Sequence, residues 1–247
     1  MSEGKPETVS GVLTVLSARA VKSAVAALAQ KYSAATGVRV ECDFAPVGAV
    51  EKKLADGASA DAVILSDAAI ASLVTKQKVI PESVRALGRT SIGVCVRDGA
   101  PQPDIATPES FMSLLLSSPT IAVSDVAVGG TAARYLPQLF EQMGVSAALE
   151  PKLVRCAGGG DVTERVARGA AAIGITFVSE MLAVGGATVI GPLPDAYGND
   201  TTYCAGIMAS TAKRTSAAAL VAMLSDTGNS EVWRAAGFVS GSGGSKF

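Results

Sequence analysis

The chain is expected to fold as an α/β protein of two lobes with a cleft between them, and three observations carry that expectation. Short apolar strand runs alternate with helical repeats along most of the 247 residues, which is the spacing of βαβ units and of mostly parallel sheets flanked by helices. The alternation is interrupted around residues 88–99 and again around 191–210, where strand patterns are flanked by Pro- and Gly-rich segments. A chain that crosses from one lobe to the other and returns would leave that mark. The length also suits two lobes of roughly 100 to 130 residues each. The first lobe is therefore expected to be discontinuous, residues 11–88 plus 205–239, and the second to span 89–204 with the crossover strands. Residues 1–10 and the Gly/Ser-rich tail 240–247 read as flexible ends.

The elements follow in order. VLTVLS at 12–17 reads as a strand, after which Val21, Val25, Leu28 and Tyr32 recur at helical spacing until Thr36-Gly37 stops the pattern. VRVECDF at 38–44 alternates Val38, Val40, Cys42 and Phe44 at a period of two, VGAVEKKLADG is a short helix ending at Gly57, and ADAVIL at 60–65 is a buried strand. TSIGVCVRDG at 90–99 is a strand bounded by Gly88 and the loop GAPQPDIATPES. Thr107 before Pro108 signals a helix start, since proline at the first helical position loses no bond, and Phe111, Leu114 and Leu115 continue the apolar face. TIAVS at 120–124 is a strand; the next helix has apolar positions Ala132, Tyr135, Leu136, Leu139, Phe140 and Met143, with Pro137 expected to kink it. KLVRCA, the helix DVTERVARG and the strand AAIGITF repeat the alternation. Past GPLPDAYGND a last strand, TTYCAGIMA, leads to the helix TSAAALVAML and a short helix around Trp233.

Composition excludes several classes. With 21 Lys and Arg against 22 Asp and Glu, scattered, there is no basic stripe for a nucleic acid. No apolar run approaches the roughly 18 residues of a membrane span, and the N-terminus MSEGKPETVSG has no secretory pattern. The chain as written thus reads as cytoplasmic, or as periplasmic if it is the mature form of an exported protein. The four cysteines, at 42, 95, 156 and 204, have no Cys-x-x-Cys spacing and each falls in a strand, where a thiol acts as a small core residue. The absence of histidine removes Ser-His-Asp and Cys-His sites and the common His-based zinc sites. No metal and no cofactor is expected.

The stretch SDVAVGGTAARYL, residues 124–136, joins a strand to a helix through Gly129, Gly130 and Thr131. N–H groups at a helix start lack intrahelical partners and sit at the positive end of the helix dipole, so such a turn can hold an anion. It can also be a helix cap and nothing more.

LTVLSARAVKSAVAALAQKYSAATGVRVECDFAPVGAVEKKLADGASADAVILSD, together with SDVAVGGTAARYL and GAAAIGITFVSEML, resembles molybdate-binding-protein-like members of the type 2 periplasmic binding protein superfamily. These are solute-binding proteins of ABC transporters, and the superfamily also includes aconitate isomerase-like enzymes. The resemblance covers nearly all of residues 11–239 and implies a two-lobe fold with an interlobe ligand. Carried over position by position, the first anion-binding turn corresponds to Ser17, Ala18, Arg19 and Ala20 and the second to Val47 and Gly48. The third corresponds to Gly129, Gly130 and Thr131, a fourth to Gly159, Gly160, Asp161 and Val162, and a fifth contact to Phe177. The molybdate pattern has serine hydroxyls in its first two turns and a tyrosine at the fifth contact. Ala20, Gly48 and Phe177 depart from it, which speaks against molybdate as the ligand.

Arg19 can clamp a planar carboxylate through two parallel hydrogen bonds, or lie on the solvated side of its turn; Arg134 is expected on the outer face of its helix. Two functions follow from the resemblance. One is a solute-binding protein for a small organic di- or tricarboxylate or oxyanion, with an ABC permease as partner if exported. The other is a cofactor-independent isomerase of a small unsaturated carboxylic acid, which needs a base to move one proton. Base candidates are Asp43, Asp125, Asp161, Glu180 and Tyr203, each with a structural alternative: Asp125 and Asp161 as turn or cap residues, Glu180 as a helix-start residue. A third reading is a sensor or carrier domain that binds without turnover.

Overall fold

The computed structural model describes residues 11–239; the ends expected to be flexible lie outside the described residues. In chain order the elements are β1 (Val12–Ala18), α1 (Lys22–Thr36), β2 (Arg39–Ala45), α2 (Val47–Ala55), β3 (Ala62–Ser66), α3 (Asp67–Thr75) and β4 (Arg85–Arg97). Then come α4 (Pro108–Ser117), β5 (Ile121–Ser124), α5 (Thr131–Gln142), α6 (Ser146–Leu149), β6 (Leu153–Cys156), α7 (Gly159–Ala167), β7 (Ile173–Phe177) and α8 (Val178–Met181). The chain closes with β8 (Ala187–Pro192), β9 (Asp200–Ile207), α9 (Arg214–Leu224) and α10 (Ser230–Ala235).

The strands run in the order β2-β1-β3-β9-β4-β7-β5-β6, with β8 added to β4. Two halves share β4. Its first part, Arg85–Ser91, pairs antiparallel with β9, whereas Ile92–Val96 pairs with β7 and Gly93–Arg97 with β8. In each half the outer strands are parallel, β2-β1-β3 in one and β7-β5-β6 in the other, as βαβ connections require. The antiparallel partners are those nearest the crossover, where β9 returns the chain to the first half beside β3.

Burial explains why these segments are strands. β3 and β7 are buried at every residue and carry the apolar runs AVIL and IGITF, the signature of central strands covered on both faces. β2 alternates exposed and half-buried residues, as an edge strand covered on one face should. One hydrophobic core runs through both halves, and a smaller cluster of Cys95, Ala122, Cys156, Val162, Val166, Ala171 and Met181 lies under α7. Burial pushes the Cys95 thiol up to about 12 and those of Cys42, Cys156 and Cys204 to about 11. They remain thiols near neutrality.

The structure adds elements the pattern did not reveal. β8 is half-buried along most of its length and ends in Gly191-Pro192, so it shows neither clean alternation nor an apolar run. β4 begins at Arg85, earlier than its apolar stretch, because pairing with β9 holds the polar, Gly88-containing segment extended. α5 runs through Pro137, which sits on its exposed side.

A buried carboxylate fastens the first half. Asp61, 7% exposed, accepts from the Thr14 N–H at 2.9 Å, Thr211 Oγ1 at 2.6 Å and Lys213 Nζ at 3.2 Å. Burial pushes its carboxyl up, but the hydrogen bonds from Thr211, Thr14 and Lys213 and the lysine charge hold it below the usual range.

Candidate functional site

The carboxyl ends of the parallel strands point toward the junction of the two halves, where open α/β sheets characteristically take their ligands. A cavity lies there with room of about 40 Å³ for the centre of a water-sized molecule, enough for about three waters. From the first half, Ala18, Arg19 and Ala20 after β1 line it, with Pro46 and Val47 at the start of α2. The second half contributes Ser124, Val128 and residues 130–133 from β5 to α5, then Gly158 and Gly159 at the start of α7, with Phe177 and Glu180. Tyr203 of β9 completes the wall.

Four helical starts meet at this cavity: the 3-10 turn Arg19–Val21 that leads into α1, and α2, α5 and α7. None carries a side-chain cap. Among the α-helices described, α4, which starts elsewhere, is the one closed by a reciprocal capping box, between Thr107 and Ser110; α3, α9 and α10 have no side-chain cap either. At the cavity, amide groups and dipole ends are therefore left for something other than the helix's own side chains.

Of the residues anticipated from sequence, Ala18, Arg19, Ala20, Val47, Gly130, Thr131, Gly159 and Phe177 stand in this lining, and Ser17, Gly48, Gly129, Gly160, Asp161 and Val162 stand off it. Most of the displacements have a local cause. Ser17 is fully buried, with Oγ donating to the Ala18 carbonyl at 3.2 Å. Gly48 and Gly129 are turned toward each other: the Gly48 N–H donates across the cleft to the Gly129 carbonyl at 3.1 Å. No side chain fits there, since a Cβ on Gly48 would lie 2.9 Å from the Gly129 oxygen. Gly129 itself, at φ +72°, closes the preceding 3-10 turn. Asp161 Oδ2 accepts from the Ala157 N–H at 2.9 Å and Oδ1 from Arg165 Nε at 3.2 Å, and Val162 is wholly buried in the core under α7.

The five base candidates separate in the same way. Asp43 is exposed and paired with Lys53 at 2.5 Å, and Asp125 accepts from the Ala127 N–H at 2.9 Å. These two, with Asp161, serve turns and surfaces. Glu180 and Tyr203 are in the cavity wall. Glu180 Oε2 accepts from Thr176 Oγ1 at 2.9 Å. Burial pushes its carboxyl above the ordinary value, against the opposing pull of the Thr176 hydroxyl, the Arg19 charge and the nearby Gly159 amide. Tyr203, 1% exposed, packs edge-on against Phe177 with ring centroids 6.2 Å apart. Burial, then the Glu180 charge, hold its phenol well above the ordinary range, with Thr131 acting in the opposite sense. The Thr131 hydroxyl lies near that phenol without hydrogen-bond geometry and has no other protein partner among the described residues.

The start of α7 was expected to open on a ligand, but part of it is already occupied. A Cβ on Gly159 would collide with Glu180 Oε2 and Thr176 Oγ1, and one on Gly158 would lie 2.5 Å from Arg19 Nη1. Arg19 is half-buried and donates from Nη1 to the Ala157 carbonyl at 3.2 Å, so it is neither a free clamp nor a solvated surface residue.

Comparison with known proteins agrees with this architecture. Residues 13–239 match the family described as bacterial extracellular solute-binding protein. Aconitate isomerase of Pseudomonas sp is 34% identical over 211 residues, covering 83% of this chain and 79% of that protein. The periplasmic molybdate-binding protein of Azotobacter vinelandii superposes with a TM-score of 0.75 at 19% identity, over 92% of this chain and 98% of that one. The sulfate-binding protein SubI from Mycobacterium tuberculosis superposes with a TM-score of 0.75 at 17% identity, over 94% and 88%. These structural likenesses show the two-lobe fold.

Proposed function

This chain belongs to the bacterial extracellular solute-binding protein family, and from that premise we propose that its cleft takes a small organic carboxylate and isomerises it by moving one proton. In this reading the first lobe comprises residues 11–91 plus 200–239 and the second 92–199, with β4 and β9 as the connection; the change of strand partner along β4 at Ile92 supports that division. That is a few residues from the division at 88 and 205 expected from the sequence.

The single observation that carries the reading is Glu180: a carboxyl in the cavity wall whose protonated form is favoured by burial, within reach of whatever the cleft encloses. An ionised side chain of this kind repels an anion beside it, and a proton-moving role gives it a use there. Uncapped helix starts supply positive potential for the ligand's carboxylate. The ionised Glu180 removes a proton from a carbon adjacent to the double bond, and the electron pair spreads onto the carboxylate oxygens, where the amides stabilise it. The proton now on Glu180 returns to the carbon at the other end of the allylic system, which shifts the double bond, restores the base and releases an isomer. A carboxyl raised above its ordinary value is the stronger base as carboxylate, which suits the step. The 34% identity to an aconitate isomerase supports the same reading and suggests small unsaturated polycarboxylates as substrates. The closed cavity admits about one carboxylate group, so a larger acid would be held with the lobes less tightly closed.

Ultraviolet absorbance tests the proposal directly: cis- or trans-aconitate mixed with the protein should drift toward an equilibrium mixture. Silence across aconitate, itaconate and muconate-type acids would remove it. The uncapped helix starts favour a second reading, binding without turnover as the receptor of an ABC permease outside the inner membrane. It predicts saturable calorimetric binding of an unchanged anion. Both readings place the anion against Gly130, where an added side chain meets nothing nearer than Ala133 Cβ at 3.9 Å. Gly130→Asp should fold normally and lose binding in calorimetry, by placing like charge at the anion's position.

A further inference from the structure

We propose that Arg19 is a positioning residue for Glu180: closing the cleft seats its guanidinium on the far wall beside the carboxyl and favours the ionised, proton-accepting form. The inference rests on Glu180 as the proton-moving group proposed above. Its geometry is independent of any ligand. Arg19 leaves β1 in the first half of the sheet, whereas Ala157, Gly158 and Glu180 belong to the second half. Its bond to the Ala157 carbonyl therefore exists only while the halves are together.

Two consecutive glycines make room for the two side chains. The space a Cβ would take on Gly158 is filled by Arg19 Nη1, and the space on Gly159 by Glu180 Oε2. Neighbouring vacancies on one backbone turn thus bring a cation from one half near a carboxyl of the other, close enough for its charge to act on the carboxyl but without a direct ion pair. On the opposite rim the Gly48 to Gly129 bond holds the same closed geometry. The other charged or titratable groups around Glu180 are differently placed. Tyr203 on β9 is kept as the neutral phenol by burial. Lys22 of α1 and Glu164 of α7 share an outer groove with Glu180, and Glu164 is paired with Arg168 at 3.1 Å. Asp67 acts on Tyr203 from the start of α3. Among these, Arg19 alone lines both the inner cavity and the outer groove together with Glu180 while carrying positive charge. Opening the cleft would withdraw that charge, so the acid–base state of Glu180 would follow the state of the cleft.

The test is a carbon-13 NMR titration of the Glu180 carboxyl, assigned by its loss in Glu180→Gln, for wild type, Arg19→Met, Arg19→Gln and Arg19→Lys. Arg19→Met should move the midpoint upward. Arg19→Gln, which keeps a donor for Ala157 but no charge, should move it equally, and Arg19→Lys should restore most of the wild-type value. The acidic limb of the pH–rate profile for isomerisation should move with it. Rising midpoints with no isomerisation of any acid would sustain the role of Arg19 and refute the enzyme reading. Isomerisation with a midpoint unmoved in both Arg19→Met and Arg19→Gln would sustain the enzyme and overturn the inference.

Discussion

Asp61 and Glu180 are both largely withdrawn from water, yet the protein treats them oppositely. Asp61, at the start of β3, is surrounded by donors from Thr14, Thr211 and Lys213 and is held below the usual carboxylate range despite burial. Glu180, at the cavity, has one side-chain donor, Thr176, and burial prevails over its neighbours, so its carboxyl lies above the ordinary range. The contrast teaches that burial alone does not mark a functional carboxylate. What distinguishes the site is incomplete satisfaction: a half-buried acid in the cavity wall with a single side-chain donor has its proton affinity raised.

The largest effect that could break this comparison is on turnover. Glu180→Gln should lower isomerisation by about 10²- to 10⁴-fold, the range general acid–base groups contribute, while calorimetry still detects ligand; Asp61→Ala should leave the turnover of the folded protein intact. Stability should reverse the order. Denaturant unfolding should show a loss of about 2 to 3 kcal/mol for Asp61→Ala, whose partners lose a charged acceptor, and no loss for Glu180→Gln.

The pH dependence sharpens the same point, because the two shifts have opposite signs. A carboxyl lowered in the folded state binds fewer protons there than in the unfolded chain. The stability due to Asp61 is accordingly present above its unfolded value, about 3.9, and is lost as pH falls through its folded value. Glu180 is raised, so its contribution is fully present below its unfolded value, about 4.3, and is lost as pH rises through the folded one. Unfolding curves of wild type against Asp61→Asn should therefore converge at low pH, and those of wild type against Glu180→Gln should diverge as pH rises. The smallest effect concerns the rim without charged side chains. Gly48→Ala places a Cβ 2.9 Å from the Gly129 oxygen and should weaken ligand affinity by about 1 to 2 kcal/mol, roughly 5- to 30-fold, by obstructing closure.

How much of this was legible in the sequence follows from the range of each signal. The strand-to-helix turn at Gly129–Gly130 is a local signal, and its Gly130 lies in the lining, whereas the turn at Ser17 to Ala20 was marked by the family resemblance alone. Glu180 and Tyr203 were visible only as members of a larger set, since burial and a shared wall depend on strands far apart in the chain. The roles of Gly48 and Gly158 were illegible for the same reason. Each makes room for a group more than 80 residues away, Gly129 in one case and Arg19 in the other. A turn that reads as an anion cradle can equally be filled by the protein itself, as the start of α7 is by Glu180. β8 escaped notice because a half-buried strand ending in Gly-Pro matches neither strand template.

The central claim is that one partly satisfied carboxyl turns an anion-binding cleft into a site of proton transfer. Proton NMR of cis-aconitate incubated with wild type and with Glu180→Gln tests it most directly. The account predicts that the trans isomer accumulates with wild type and that Glu180→Gln leaves the cis acid unchanged over the same interval. Equal conversion by both proteins, or none by wild type, would contradict it.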